Sequence, residues 1–271
     1  MEKTKKTGKS KALDIFAGAA IVICIAVGFL MWRFVMGAPA NFEGGDPVNG
    51  HPLPGNFLGQ IYKGGVIVPF LMGLLLMAVV FSIERFFAIS KAEGKGNLGK
   101  FVNEVQASIA VGNVDEAMEQ CNVQKGSVAN VINSALVKYK DVRSEGFDSE
   151  KASEMIQTEI ENATSLEMPT LEKNMPILAT LVSIGTLLGL LGTVSGMIKA
   201  FAGLAVSGTP DQAQLANGIS EALINTATGI STSILSIIAY NFFTSKIDTL
   251  TSFIDEAGAA ITKSYRRLKS K

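Results

Sequence analysis

The sequence predicts an all-α membrane protein with four membrane spans, and three observations carry that prediction. Of its 271 residues 48% are hydrophobic and only 18% are charged, against the roughly 25% charge of an ordinary soluble domain. Four runs of 18 to 24 residues carry no charge at all, which is the length a helix needs to cross the hydrocarbon layer. The segments between these runs alternate between lysine-rich and lysine-poor. Only helices can satisfy every backbone polar group within such runs.

In chain order, the runs are Ile15–Trp32, Val66–Ile83, Pro176–Ile198 and Ala222–Ser245. Lys3, Lys5, Lys6, Lys9 and Lys11 precede the first, which gives a basic N-terminus and an extra anchor over 1–36. That run also resembles a secretory signal, because Ala38-Pro39-Ala40 follows it as an A-x-A site. It is longer than the usual signal core and ends in Trp32-Arg33, which favours a retained anchor. Segment 37–65 is a Gly/Pro/Asn linker too poor in apolar residues to fold alone. The second span occupies 66–89 and ends at Glu84-Arg85, a pair suited to anchoring it at the membrane interface.

Segment 90–175 reads as a helical domain. Phe101, Val105 and Ile109 are helically spaced, as are Val128, Val131, Ile132 and Leu136. Gly112-Asn113 and Lys125-Gly126-Ser127 punctuate them, and Ser149 opens a last helix. Nothing but Pro169 interrupts that helix, so it is expected to run on, kinked at Pro169 and Pro176, into the third span over 176–202. A loop over 203–219 without Lys or Arg, a fourth span over 220–245 and a basic tail over 246–271 complete the chain. The positive-inside rule then places both termini and 90–175 in the cytoplasm, and 37–65 and 203–219 outside.

The composition also excludes functions. Net charge is zero, so no basic surface for nucleic acid is expected. Two distant cysteines and a single histidine, His51, make neither a disulfide framework nor a metal site, and no cofactor is expected. The Gly189–Gly196 stretch has no lysine and follows no strand, so it is not a phosphate loop. An enzyme reading has nothing to stand on.

The third and fourth runs carry a different pattern. Gly185-x-x-x-Gly189 and Gly192-x-x-x-Gly196 are small-residue spacings that allow close helix packing in lipid, and Gly229 adds to them in the fourth run. Around them stand Thr180, Ser183, Thr186, Thr193 and Ser195, then Asn225, Thr226, Thr228, Ser231, Thr232, Ser233 and Ser236. Positions 225, 228, 232 and 236 share one helical face, with 226 and 233 beside it. Single hydroxyls of this kind can simply bond their own backbone. So many together point to a polar-lined interior, with Thr186, Asn225 and Ser233 among its candidate residues. No Asp, Glu, Lys, Arg or His lies mid-span, whereas an intramembrane proton carrier is normally such a group. A titrating group would have to come from another chain. Lys199 can snorkel from the end of the third run. Glu221 reads either as a first-turn carboxylate complementing the helix dipole or as an entrance residue or cross-subunit hydrogen bonder.

Two stretches then resemble a known family. Leu190-Leu191-Gly192-Thr193-Val194-Ser195-Gly196-Met197 is similar to the first motif of the MotA/TolQ/ExbB ion-channel subunits, and Gly218–Gly229 to their G-I-x-E-A-L-x-x-T-A-x-G. The resemblance covers about residues 66–245. It implies a homopentamer around a dimer of a single-span ExbD/TolR-like subunit, whose membrane aspartate carries the proton. It places the pore threonines at Thr193 and Thr226, the family glutamate at Glu221, and the chain in a bacterial inner membrane. Proton passage would then energise outer-membrane transport through a TonB-like protein. The ExbB branch is preferred to a TolQ-like one although no residue decides it, and a non-conducting scaffold or a proton- or sodium-driven stator subunit are the other readings. The chain departs from the family at Thr186 and over 233–236, where prolines are common, at Asn225, which replaces a small apolar residue, and in its extra first span.

Overall fold

The computed structural model describes residues 3–48, 50–207 and 212–269. Positions 208–211 of the expected 203–219 loop and the last two residues of the basic tail lie outside the described residues. Over the described residues the chain is all-α, with a single isolated bridge between Phe42 and Pro52. Four helical stretches, starting at Ala17, Val68, Met175 and Leu215, are long and apolar enough to cross a membrane. The chain forms two compact units: residues up to Ile83 with Pro176–Tyr240, and Glu84–Met175 with Asn241 onward.

In the first unit, α1 (Lys3–Leu30) packs on the start of α3 (Val68–Glu93). Their backbones touch at glycines: a Cβ on Gly28 would lie 2.6 Å from the Pro69 carbonyl oxygen and 2.7 Å from the Gly73 nitrogen. Small residues are what allow such an approach. Phe29 meets Phe70 edge to face, with centroids 5.0 Å apart. α1 ends in a π-helical turn, Met31–Met36.

Asn41 completes that turn, its buried amide donating to the carbonyls of Val35 (2.8 Å) and Met36 (2.9 Å). It also accepts from the Asn56 amide at 2.9 Å. Trp32 stacks on Tyr62, the last residue of α2 (Phe57–Tyr62), at 4.7 Å, and its indole N–H donates to the Tyr62 carbonyl. The 37–65 segment is thus a folded cap whose few apolar and polar anchors close on the end of α1.

The second unit is a helical bundle. α4 (Leu98–Ala110), α5 (Val114–Gln124), α6 (Gly126–Ser144) and α7 (Ser149–Leu171) begin and end where the sequence punctuates them. Asn97, Asn113 and Asp148 cap the starts of α4, α5 and α7 by accepting from Lys100, Glu116 and Glu150 backbone N–H groups. The apolar stripes predicted in α4 and α6 are buried.

The described residues of the expected 203–219 loop are helical, because one helix runs to Ser207 and the next starts at Gln212, and two further expectations differ from the structure. The helix opened at Ser149 does not continue into the third span: α7 ends at Leu171, and α8 (Met175–Ser207) starts afresh. Asn174 takes φ 63°, a left-handed conformation that asparagine tolerates better than most residues. Pro176 in the first turn of α8 costs no hydrogen bond there. Arg85 makes the break possible, because its guanidinium donates to the carbonyls of Thr170 (3.4 Å) and Leu171 (3.2 Å) at the end of α7. Glu84 pairs with that guanidinium and accepts from Asn174 at 3.1 Å. Arg85, expected as an interface anchor, is only 2% exposed and acts instead as this cap.

The other difference lies in the tail. α9 spans Gln212–Lys269 as one 58-residue helix. Phe243, Ile247, Leu250, Ile254, Ala257, Ile261 and Tyr265 form a buried stripe along its second half, and this amphipathic spacing packs what looked like a basic tail into the bundle. Ser264 donates to the Ile109 carbonyl at 2.9 Å and Lys246 pairs with Glu93 at 3.0 Å.

Candidate functional site

The two glycine-bearing spans, α8 and the first half of α9, lie backbone against backbone. A Cβ on Gly185 would stand 2.8 Å from Ser233 Oγ, one on Gly189 3.1 Å from the Asn225 carbonyl, and one on Gly196 2.7 Å from the Gly218 carbonyl. From the α9 side, a Cβ on Gly229 would stand 2.8 Å from Gly189 Cα. Gly192 leaves the space that the Asn225 side chain fills.

This proximity pairs hydroxyls across the two helices. Thr186 Oγ1 and Ser233 Oγ lie 2.8 Å apart, and Ser233 Oγ is also 2.7 Å from the Val182 carbonyl. Thr193 and Thr226 hydrogen-bond each other directly. Each also reaches a carbonyl of its own helix, Gly189 at 3.3 Å and Ala222 at 3.1 Å. In each helix the two pairs are seven residues apart, which is about 10 Å along the axis. Thr193 and Thr226 remain half exposed. Thr193 lines an open concavity of about 650 Å³ with Val194, Met197, Ile198, Phe201 and Ala202.

The other hydroxyls divide as the sequence allowed. Thr228, Ser231 and Thr232 bond carbonyls four residues back. Asn225, Thr232 and Ser236 are fully buried, while Leu223, Ile230, Ile234 and Ile238 face outward. The polar side of α9 therefore turns into the protein and its aliphatic side away from it.

Glu221 is not a first-turn residue. α9 begins nine residues earlier, at Gln212, so a role in complementing the helix dipole is overturned. Glu221 is 8% exposed and pairs with Lys199 of α8 at 2.6 Å. Its carboxylate also lies against Gly65, where a Cβ would meet Glu221 Oε1. Asn225 does not join the hydroxyl pairs. Its Nδ2 donates to the Gly64 carbonyl at 2.9 Å, and its Oδ1 has no partner. Sequence reasoning missed both Gly64–Gly65 and the Lys199–Glu221 pair. Lys199 and Glu221 both stood at span ends on the same side, and that was the available signal.

Known proteins match this chain in the same region. The model of the MotA/TolQ/ExbB proton channel family matches residues 123–256. A Synechocystis sp. protein named as a biopolymer transport protein ExbB-like 3 is 28% identical over 207 residues, covering 75% of this chain and 92% of that protein. Biopolymer transport protein ExbB of Neisseria gonorrhoeae is 24% identical, covering 79% and 90%. Tol-Pal system protein TolQ of Pseudomonas aeruginosa is 38% identical over 120 residues, covering 43% of this chain and 52% of TolQ. With both motifs on the facing helices α8 and α9, and with relatives of both names, the chain belongs to the MotA/TolQ/ExbB proton channel family.

Proposed function

We propose that this chain is the proton-channel subunit of an ExbB-like inner-membrane motor. Five copies would surround a dimer of a single-span ExbD/TolR-like subunit, and the motor would energise outer-membrane transport through a TonB-like protein. The observation that carries this reading is the Thr193–Thr226 pair. Two hydroxyls face each other where both family motifs meet, beside an open apolar concavity, and no span carries a charged residue at its middle.

In that arrangement the partner's aspartate enters the concavity. A threonine hydroxyl donates to it when it is ionised and accepts from it when it is protonated, so the pair serves both states. Glu221 and Lys199 stand at the outer mouth, and Thr186 with Ser233 forms a second hydroxyl station two turns further in. Gly185, Gly189, Gly192, Gly196 and Gly229 keep the helices close enough for the pairs to form. Each proton crossing about 100 mV releases roughly 2.3 kcal/mol, enough for a few protons to move a packed interface between discrete arrangements. The basic termini and 90–175 would face the cytoplasm, with 37–65 and 203–219 in the periplasm.

The TolQ relative supports a second reading within the same mechanism, in which the motor serves outer-membrane maintenance. The test is proton uptake into vesicles holding this chain with its single-span partner. Thr193→Val and Thr226→Val should each cut uptake by about 10-fold or more, the loss expected for one hydrogen bond to a charged group, while native mass spectrometry still finds five copies with two. Uptake unchanged in both variants would refute the threonine pathway, and no uptake from the wild type with either an ExbD-like or a TolR-like partner would leave a non-conducting scaffold.

A further inference from the structure

We propose that Asn225 is a positioning residue: it clamps the Gly64–Gly65 turn onto α9 and so holds the Glu221 carboxylate between that turn and Lys199. The proposal rests on the reading of Glu221 as a residue of the channel mouth.

Asn225 has no exposed surface. One end of its amide donates to the Gly64 carbonyl at 2.9 Å, and the other end is buried without a partner. A half-satisfied buried amide is costlier than an apolar side chain of the same size, so stability alone would favour replacing it. What asparagine supplies at this position is a donor for one backbone carbonyl. Gly192 makes the room for it, since a Cβ there would overlap Asn225 itself.

Glu221 lies four residues before Asn225, one turn along the same face of α9. Its Oε1 is 2.6 Å from Lys199 Nζ. It also occupies the place a Cβ on Gly65 would take, and Gly65 has φ +82°. The turn therefore needs glycine twice over, for its backbone conformation and for room beside the carboxylate. A Cβ on Gly64 would lie 3.0 Å from the Ile224 methyl, so the turn rests directly on α9. The carboxylate thus meets the Lys199 ammonium from α8 and the Gly64–Gly65 backbone from the cap. Two residues before the turn, Tyr62 stacks on Trp32. The extra first helix is in this way tied to the glutamate at the mouth.

The test is carbodiimide labelling of carboxylates in the full-length chain in lipid nanodiscs, read residue by residue by peptide mass spectrometry. Asn225→Leu keeps the branched four-atom side chain and removes the donor. Labelling of Glu221 should rise about three- to tenfold, the range for losing one buried neutral hydrogen bond, while Glu84 and Glu167 label as in the wild type. Gly65→Ala, which pushes a methyl into the carboxylate's place with Asn225 intact, should raise Glu221 labelling in the same way, and Asn225→Ala, which removes the donor without adding bulk, decides the matter if Asn225→Leu does not fold. Unchanged Glu221 labelling, or an equal rise at Glu84 and Glu167, overturns the proposal. Labelling requires neither partner nor proton flux, so failure of the clamp is distinguishable from failure of the channel reading.

Discussion

Gly229 offers a sharp test of what holds the hydroxyl pairs together. In Gly229→Ala the new Cβ would overlap the Gly185 carbonyl oxygen and stand 2.8 Å from Gly189 Cα, whereas comfortable carbon–carbon contact begins near ~3.5 Å. The helices must then separate locally by about 0.7 Å, the difference between those two distances. One turn away, Thr186 and Ser233 are 2.8 Å apart. The same displacement takes them to about 3.5 Å, outside the hydroxyl hydrogen-bond range. Overpacking of this kind costs about 1–3 kcal/mol, so the variant should still fold with a lowered midpoint. Proton uptake into vesicles should fall severalfold more than the small change in folded fraction explains. Gly18→Ala in α1 is the control, because a Cβ there meets nothing within 4 Å. If Gly229→Ala retains both the wild-type midpoint and wild-type uptake, glycine contact does not set the spacing of the pairs.

Three further outcomes follow from the fold. Asn41→Ala strips donors from the Val35 and Met36 carbonyls and an acceptor from Asn56. It should cost about 2 kcal/mol and speed hydrogen exchange across 37–65, with α4–α7 unaffected. Arg85→Met leaves two α7 carbonyls without their donor and Glu84 without its cation, a loss of about 3 kcal/mol; an unchanged thermal midpoint would show that water caps α7 equally well. Burial pushes the Cys121 thiol up to about 12, against about 8.5 for a free thiol. Between those values the folded state holds the proton that the unfolded chain releases, so stability falls as pH rises, by up to ~1.4 kcal/mol per pH unit. Comparison of unfolding midpoints with Cys121→Ala at pH 8 and 10.5 isolates that slope, and a constant difference between the two would contradict it.

Much of the fold was legible in local pattern. Uncharged runs show spans because hydrocarbon tolerates no unpaired backbone, and the punctuation at Gly112-Asn113 and Lys125-Gly126 coincides with the observed ends of α4 and α5. The inward turn of the hydroxyl-rich side of α9 also followed from its 3.6-residue period. The long second half of α9 was readable in principle, since Ile247, Leu250, Ile254, Ala257 and Ile261 repeat at helical spacing. The basic residues around that stripe obscured it.

The break between α7 and α8 was not legible, because the group that caps α7 is Arg85, 85 residues from Thr170 in the chain. The same holds for the site. Sequence alone placed Thr186, Thr193, Thr226 and Ser233 on two spans, but which hydroxyl meets which depends on the relative rotation and height of two helices. The glycine contacts set both. Asn225 shows the limit most clearly. Its neighbours in sequence suggested a place with the polar pathway, yet its amide turns to the carbonyl of Gly64, 161 residues away. Local residue pattern determines which helices form and which side of each is polar. A hydrogen bond between helices also needs a donor and an acceptor within about 3 Å, and only the packed tertiary structure brings them there.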